Sequence, residues 1–165
     1  LDENLDFVSK ASGFCAELTI KKTIHGGGFN MALITWSDSY GVKVKQFDDQ
    51  HKKLINMVND LHDAMRVGKG KEVLEKIMAG LIQYTNTHFA DEERLMKLLG
   101  YPGYEQHKKE HNLLVMQVID VQRKYNEGGA VLSQSVMTFL RDWLQKHIQG
   151  VDENYGPFLN GKGVV

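Results

Sequence analysis

A helical spacing of apolar residues recurs four times along this chain and is cut each time by glycine, which limits the fold more than any other feature. Leu54, Ile55, Val58, Leu61 and Met65 form one i, i+3, i+4, i+7 face that closes before Gly68 and Gly70, predicting a helix over 48–67. Val73, Leu74, Ile77, Leu81, Tyr84, His88, Glu92, Leu95 and Met96 repeat at three and four residues until Gly100-Tyr101-Pro102-Gly103, predicting a second helix over 71–99. A third, over 104–126, carries His107, His111, Leu114, Val115, Val118 and Val121 and stops before Gly128-Gly129. The fourth, over 133–150, has Ser133 as its expected N-cap and carries Val136, Phe139, Leu140, Trp143, Leu144 and His147 to Gly150. Short glycine-rich connections make consecutive helices antiparallel neighbours. The predicted fold is therefore all-α, an antiparallel up-down-up-down four-helix bundle with an N-terminal extension.

The extension is residues 1–30, which end in the run His25-Gly26-Gly27-Gly28 and read as a linker; Met31 is a candidate internal start. The bundle domain is expected over 31–165. The glycine run is no phosphate cradle, because neither a following G-K-S/T nor a preceding strand accompanies it. Twenty Lys and Arg against 21 Asp and Glu, with no basic stripe, argue against a nucleic-acid partner. The apolar runs are too short for membrane insertion. The single cysteine, Cys15, makes no internal disulfide and points to a reducing, cytoplasmic setting.

Seven histidines beside one cysteine then stand out. His88 and Glu92 lie four residues apart, about 40° around a helix axis and about 6 Å along it, so one ion can collect both. His107 and His111 repeat that spacing on the third helix. An ideal helix would turn Asp152 about 140° away from His147, and Gly150 is the expected place for the last turn to relax and bring it back. His51 shares the first helix's apolar stripe; taken alone it reads as a hydrogen-bonded core residue. The set reads differently. Five histidines and two carboxylates on inward stripes would cost roughly 1–3 kcal/mol per unsatisfied group, a penalty that a shared cation removes. His62, about 16 Å further along from His51, is too far to share an ion and reads as structural. His25 reads as solvated, and Asp91, Glu93, Lys108, Lys109 and Glu110 as surface charges.

The run Asp48-Asp49-Gln50-His51, His88-Phe89-x-x-Glu92, His107-x3-His111 and His147-x4-Asp152, with Trp36 before it and Tyr155-Gly156-Pro157-Phe158 after it, resembles the hemerythrin family in its bacterial form. The likeness spans about residues 32–159. It implies a cofactor of two non-haem Fe ions, bridged by carboxylates and an oxo or hydroxo oxygen. By this resemblance His107, His111 and His147 hold one iron, His51 and His88 the other, and Glu92 and Asp152 bridge them. The open position on one iron takes O2 as ligand.

Residues within a turn of these positions are expected to wall that position: Leu144, Trp143, Phe89, Ile148 and Tyr84. Five neutral imidazoles against two carboxylates favour the reduced metal, which suits carrying O2 better than oxygenating a substrate. The expected function is reversible O2 binding for carriage, storage or sensing, with no catalytic residue. Two alternatives stand beside it: a diiron oxidoreductase acting on peroxide or nitric oxide, and an O2- or redox-sensing module joined to a signalling domain or a redox partner.

Overall fold

The computed structural model describes residues 32–69, 71–127 and 134–165; the extension over 1–30 lies outside them, as do Ser133 and Gly128-Gly129. Five α-helices run through the described residues: α1 (Lys45–Arg66), α2 (Lys71–Leu99), α3 (Tyr104–Asn126), α4 (Gln134–Gly150) and the short α5 (Gly156–Gly161). One-turn 3-10 segments at Asp38–Tyr40 and Asp152–Asn154 precede α1 and follow α4. The four long helices form the bundle, with α1 against α2 and α4, and α2 against α3.

Two of the predicted punctuation points act through the same device. Gly68 and Gly100 sit at φ 67° and 70°, where only a residue without Cβ is comfortable. Each donates its N–H to the carbonyl three residues back, Met65 and Lys97, while the next residue reaches five back, Lys69 to Ala64 and Tyr101 to Met96. Those paired bonds satisfy the carbonyls that a helix end leaves open and reverse the chain within a few residues.

The first helix begins three residues earlier than its sequence pattern suggests, because Asp48 does not start it. Its carboxylate accepts the Val42 N–H at 2.8 Å while its own N–H bonds the Val44 carbonyl, so Asp48 pins the incoming segment to a helix already begun at Lys45. Ile34 is clamped further along α1, its N–H and carbonyl both bonded by the Asn59 amide at 3.0 and 2.9 Å.

The core falls into two apolar clusters. The larger includes Leu54, Ile55, Val58, Leu61, Met78, Leu81, Met137, Leu140, Leu144 and Ile148. The smaller joins Val42, Val44, Phe47, Met96, Tyr155 and Leu159. Along α1 the change from one to the other falls at His51, along α2 at His88 and Glu92, and after α4 at Asp152. A polar layer thus crosses the bundle between two greasy ones. Gly156 lets α5 close the smaller cluster, since a Cβ there would meet the Val42 carbonyl oxygen at 2.7 Å.

Candidate metal centre

The polar layer is built by position on each helix. α1 places His51 one turn after Phe47, α2 sets His88 and Glu92 on one face, and α3 does the same with His107 and His111. Asp152 returns to His147, its Oδ1 lying 3.1 Å from the imidazole Nε2. Gly150 is not what makes this possible. It ends α4 outside the left-handed region, and a Cβ added to it would meet nothing. The bend falls one residue later, at Val151 (φ −112°, ψ −53°), after which the 3-10 turn carries Asp152 inward and Asn154 Nδ2 ties off the Gly150 carbonyl at 2.7 Å.

All seven side chains are buried, none more than 4% exposed. They fall into two donor sets, each with one atom per residue lying within 4.8 Å of the others: Glu92, His107, His111, His147 and Asp152, and His51, His88, Glu92 and Asp152. Both carboxylates belong to both sets and divide their oxygens between them. Glu92 Oε2 lies 3.3 Å from Nε2 of His107 and of His111, while Oε1 lies 3.7 Å from His51 and 3.6 Å from His88. Asp152 turns Oδ1 to His147 and, at 3.7 Å, to His107, and Oδ2 to His51 at 3.2 Å.

Hydrogen bonds on the far side of two rings fix which nitrogen faces inward. His88 Nδ1–H donates to Gln50 Oε1 at 2.9 Å, and Gln50 Nε2 donates in turn to Asp91 at 2.7 Å. His111 Nδ1–H donates to Glu93 Oε1 at 3.0 Å, and Lys108 Nζ pairs with Glu93 at 3.2 Å. With the proton held on Nδ1, each Nε2 keeps its lone pair for the centre. Those inward atoms have no hydrogen-bond partner: Nε2 of His51, His88, His111 and His147, and both Asp152 oxygens. Buried atoms of this kind cost free energy unless something pairs with them, and bare imidazole nitrogens among anionic oxygens are a donor set for a divalent transition metal. The residues therefore fit two metal ions bridged by two carboxylates.

The electrostatics of the layer are uneven. Burial opposes charge on His51, but the Asp152 and Glu92 carboxylates beside it outweigh that and push it up to about 9. Burial pulls His88 down to about 4 despite the nearby Glu92. For His147 burial is again outweighed, by Asp152, and the ring is raised. Burial works against the carboxylates too, yet the imidazoles hold Glu92 well below the usual range and Asp152 at about 2.

Two of the residues expected to wall the open position stack on site imidazoles. Phe89 lies flat on His111 at 3.6 Å, with 8° between the planes, and Trp143 stacks on His147 at 5.2 Å. Leu144 and Ile148 are fully buried in the larger apolar cluster, against which Trp143 packs. Tyr84 is elsewhere: half-buried, its ring lies under the Lys53 ammonium at 4.0 Å, and the described ring contacts do not join it to a site imidazole. His62 belongs to neither donor set.

Sequence spacing missed four residues that hold the layer. Asp91 and Glu93, expected to be surface charges, are instead the acceptors that steady Gln50 and His111. Gln50 is the third. Tyr155 is the fourth, fully buried, its phenol donating to Glu92 Oε1 and its ring packed edge-on to Phe47 and His107. The available signals were weak: Gln50 precedes a ligand candidate, Asp91 and Glu93 flank one, and Tyr155 lies one turn past another.

Comparison with known proteins gives the same picture. Residues 42–159 match the family described as the hemerythrin HHE cation binding domain. The chain is 43% identical over 131 residues to a bacteriohemerythrin of Methylococcus capsulatus, covering 79% of this chain and 99% of that protein. It is 31% identical over 120 residues to a myohemerythrin of Theromyzon tessulatum, covering 73% and 88%. Among solved structures, a wild-type hemerythrin superposes with a TM-score of 0.72 at 42% identity, covering 76% of this chain and 97% of that one.

Proposed function

The chain belongs to the hemerythrin family, and from that premise we propose that it binds O2 reversibly at a non-haem diiron centre and is not an enzyme. The observation that carries the reading is the pair of overlapping donor sets, three imidazoles on one side and two on the other, with Glu92 and Asp152 common to both. His107, His111 and His147 would hold one iron, His51 and His88 the second, and the two carboxylates would span them. When bound, such a pair supplies one electron from each iron to O2 and recovers both on release. The chain's own part is to keep that exchange reversible. Phe89, Trp143, Leu144 and Ile148 surround the three-histidine side with hydrocarbon and aromatic surface, which keeps water and stray protons from a charged centre. Glu93 and Gln50 hold His111 and His88 in the tautomer that offers Nε2.

The role is carriage, storage or sensing of O2, with a signalling domain or redox partner as the further expectation for sensing. A cytoplasmic setting suits the lone cysteine, and among the described residues no helix is long and apolar enough to cross a membrane. The test is a visible spectrum of the iron-loaded, reduced protein before air, after air and after evacuation. An absorption band that rises with O2 and falls under vacuum is expected. A band that never returns, with steady consumption of added peroxide or nitric oxide, would replace this reading with an oxidoreductase.

A further inference from the structure

The two halves of the centre are unequal in three independent ways. The first is donor number: one half collects three imidazoles and the other two, with the carboxylates shared. The second is the support behind the rings. On the three-histidine side His111 donates to the Glu93 carboxylate, an anionic acceptor that makes the ring a stronger donor to a cation. On the other side His88 leans on the neutral Gln50 carbonyl, and His51 Nδ1 is buried with no partner at all. The third is Tyr155. Its phenol donates to Glu92 Oε1, the oxygen that faces His51 and His88, and leaves Oε2, the oxygen facing His107 and His111, unengaged by it. A carboxylate oxygen that already accepts an O–H has less charge to give a metal. A second cation would also enter beside the charge of the first.

Resting on the diiron reading, we propose that the chain takes up metal in two separate steps, the three-histidine half first, and that Glu93 and Tyr155 are positioning residues that set the gap between the steps. The direction is the same for each cause, so the gap is wide. The test is an anaerobic titration of the metal-free full chain with Fe(II) against a competing chelator, which reads the affinity of each step without any O2 chemistry. Wild type is expected to show two transitions whose dissociation constants differ by about tenfold or more, on the scale of outer-partner effects on metal affinity. His88→Ala should keep the tighter step and lose the weaker. Glu93→Gln should weaken the tighter step by about tenfold and leave the weaker close to wild type. Tyr155→Phe, which keeps the ring's packing, should tighten the weaker step alone. Two equivalents entering in one unresolved step would overturn the proposal. So would a His88→Ala chain that loses the tighter step, or a Glu93→Gln change confined to the weaker one. A wild-type chain that takes up only one ion in total refutes the diiron reading itself, a different failure.

Discussion

Stripping the metal from this protein should destabilise the whole bundle, by an amount that follows from the orphaned atoms of the polar layer. Six buried nitrogens and oxygens that face the centre lack a hydrogen bond: Nε2 of His51, His88, His111 and His147, and both Asp152 oxygens. An unsatisfied buried polar group costs about 1–3 kcal/mol. The low end applies here, because imidazoles and carboxylates 3.1–3.7 Å apart still attract one another. At about 1 kcal/mol each the total is about 6 kcal/mol, comparable to the whole stability of an ordinary domain. Some 130 residues unfold with an entropy of about 0.27 kcal/mol/K, which converts that figure to a fall in Tm of about 22 °C. The assay is thermal unfolding followed by circular dichroism at 222 nm, on iron-loaded protein and on protein stripped with chelator. A fall of about 20 °C or more, recovered when Fe(II) is returned, is expected on the same scale. A stripped protein melting within about 5 °C of the loaded one would refute the reasoning, because the layer would then be satisfied without metal.

His62→Ala should leave two irons per chain and an unchanged visible spectrum; a large loss of iron would put His62 into the centre. Leu144→Ala should cost about 2–5 kcal/mol by opening a cavity beside His147, measured by denaturant melts. It should also hasten the irreversible oxidation of the loaded protein in air, and an oxidation rate equal to wild type would remove Leu144 from the wall. The stability of stripped protein should peak near pH 6.5. His51, raised to about 9, contributes stability that is complete below its unfolded pKa and is lost as pH rises through 9, and the raised His147 acts in the same sense. His88, lowered to about 4, makes the fold lose stability as pH falls from 6.5 towards 4, and Asp152 adds a further loss between 3.8 and about 2. Melts from pH 3 to 10 check the profile, and stability still rising between pH 7 and 9 would contradict it. Loading at pH 7.5 should release protons, since a ligating imidazole must be neutral. A pH-indicator titration in weak buffer reads this directly, and no release would contradict the raised His51.

The helices, and the faces that carry His51, His88, Glu92, His107, His111 and His147, could be read from spacing because a 3.6-residue period fixes which residues share a face, and a turn built on Gly68 or Gly100 fixes where a face ends. The start of α1 could not. Asp48 looks like a first-turn acid, but its carboxylate serves the backbone of Val42, a contact set by the preceding segment folding back. Gly150 reads as the flexible residue near Asp152, whereas the distortion sits in ordinary residues after it, where the helix end tightens into a 3-10 turn whose Asn154 amide holds the Gly150 carbonyl. The outer partners were invisible for a different reason. Gln50 meets His88 across 38 residues and Tyr155 meets Glu92 across 63, so their roles depend on how helices pack and not on any local period. Glu93 and Asp91 follow the same rule: adjacent to Glu92 in sequence, they reach neighbouring helices, Glu93 accepting from the His111 ring on α3 and Asp91 from the Gln50 amide on α1. Tyr84 shows the converse, where one turn from a ligand was too crude a measure of closeness.

The most direct measurement is anomalous diffraction at the iron edge from crystals of the iron-loaded protein. The account predicts two peaks per chain inside the polar layer, one within bonding distance of His107, His111 and His147, the other of His51 and His88, with Glu92 and Asp152 reaching both. One peak, or peaks away from those seven side chains, would contradict it.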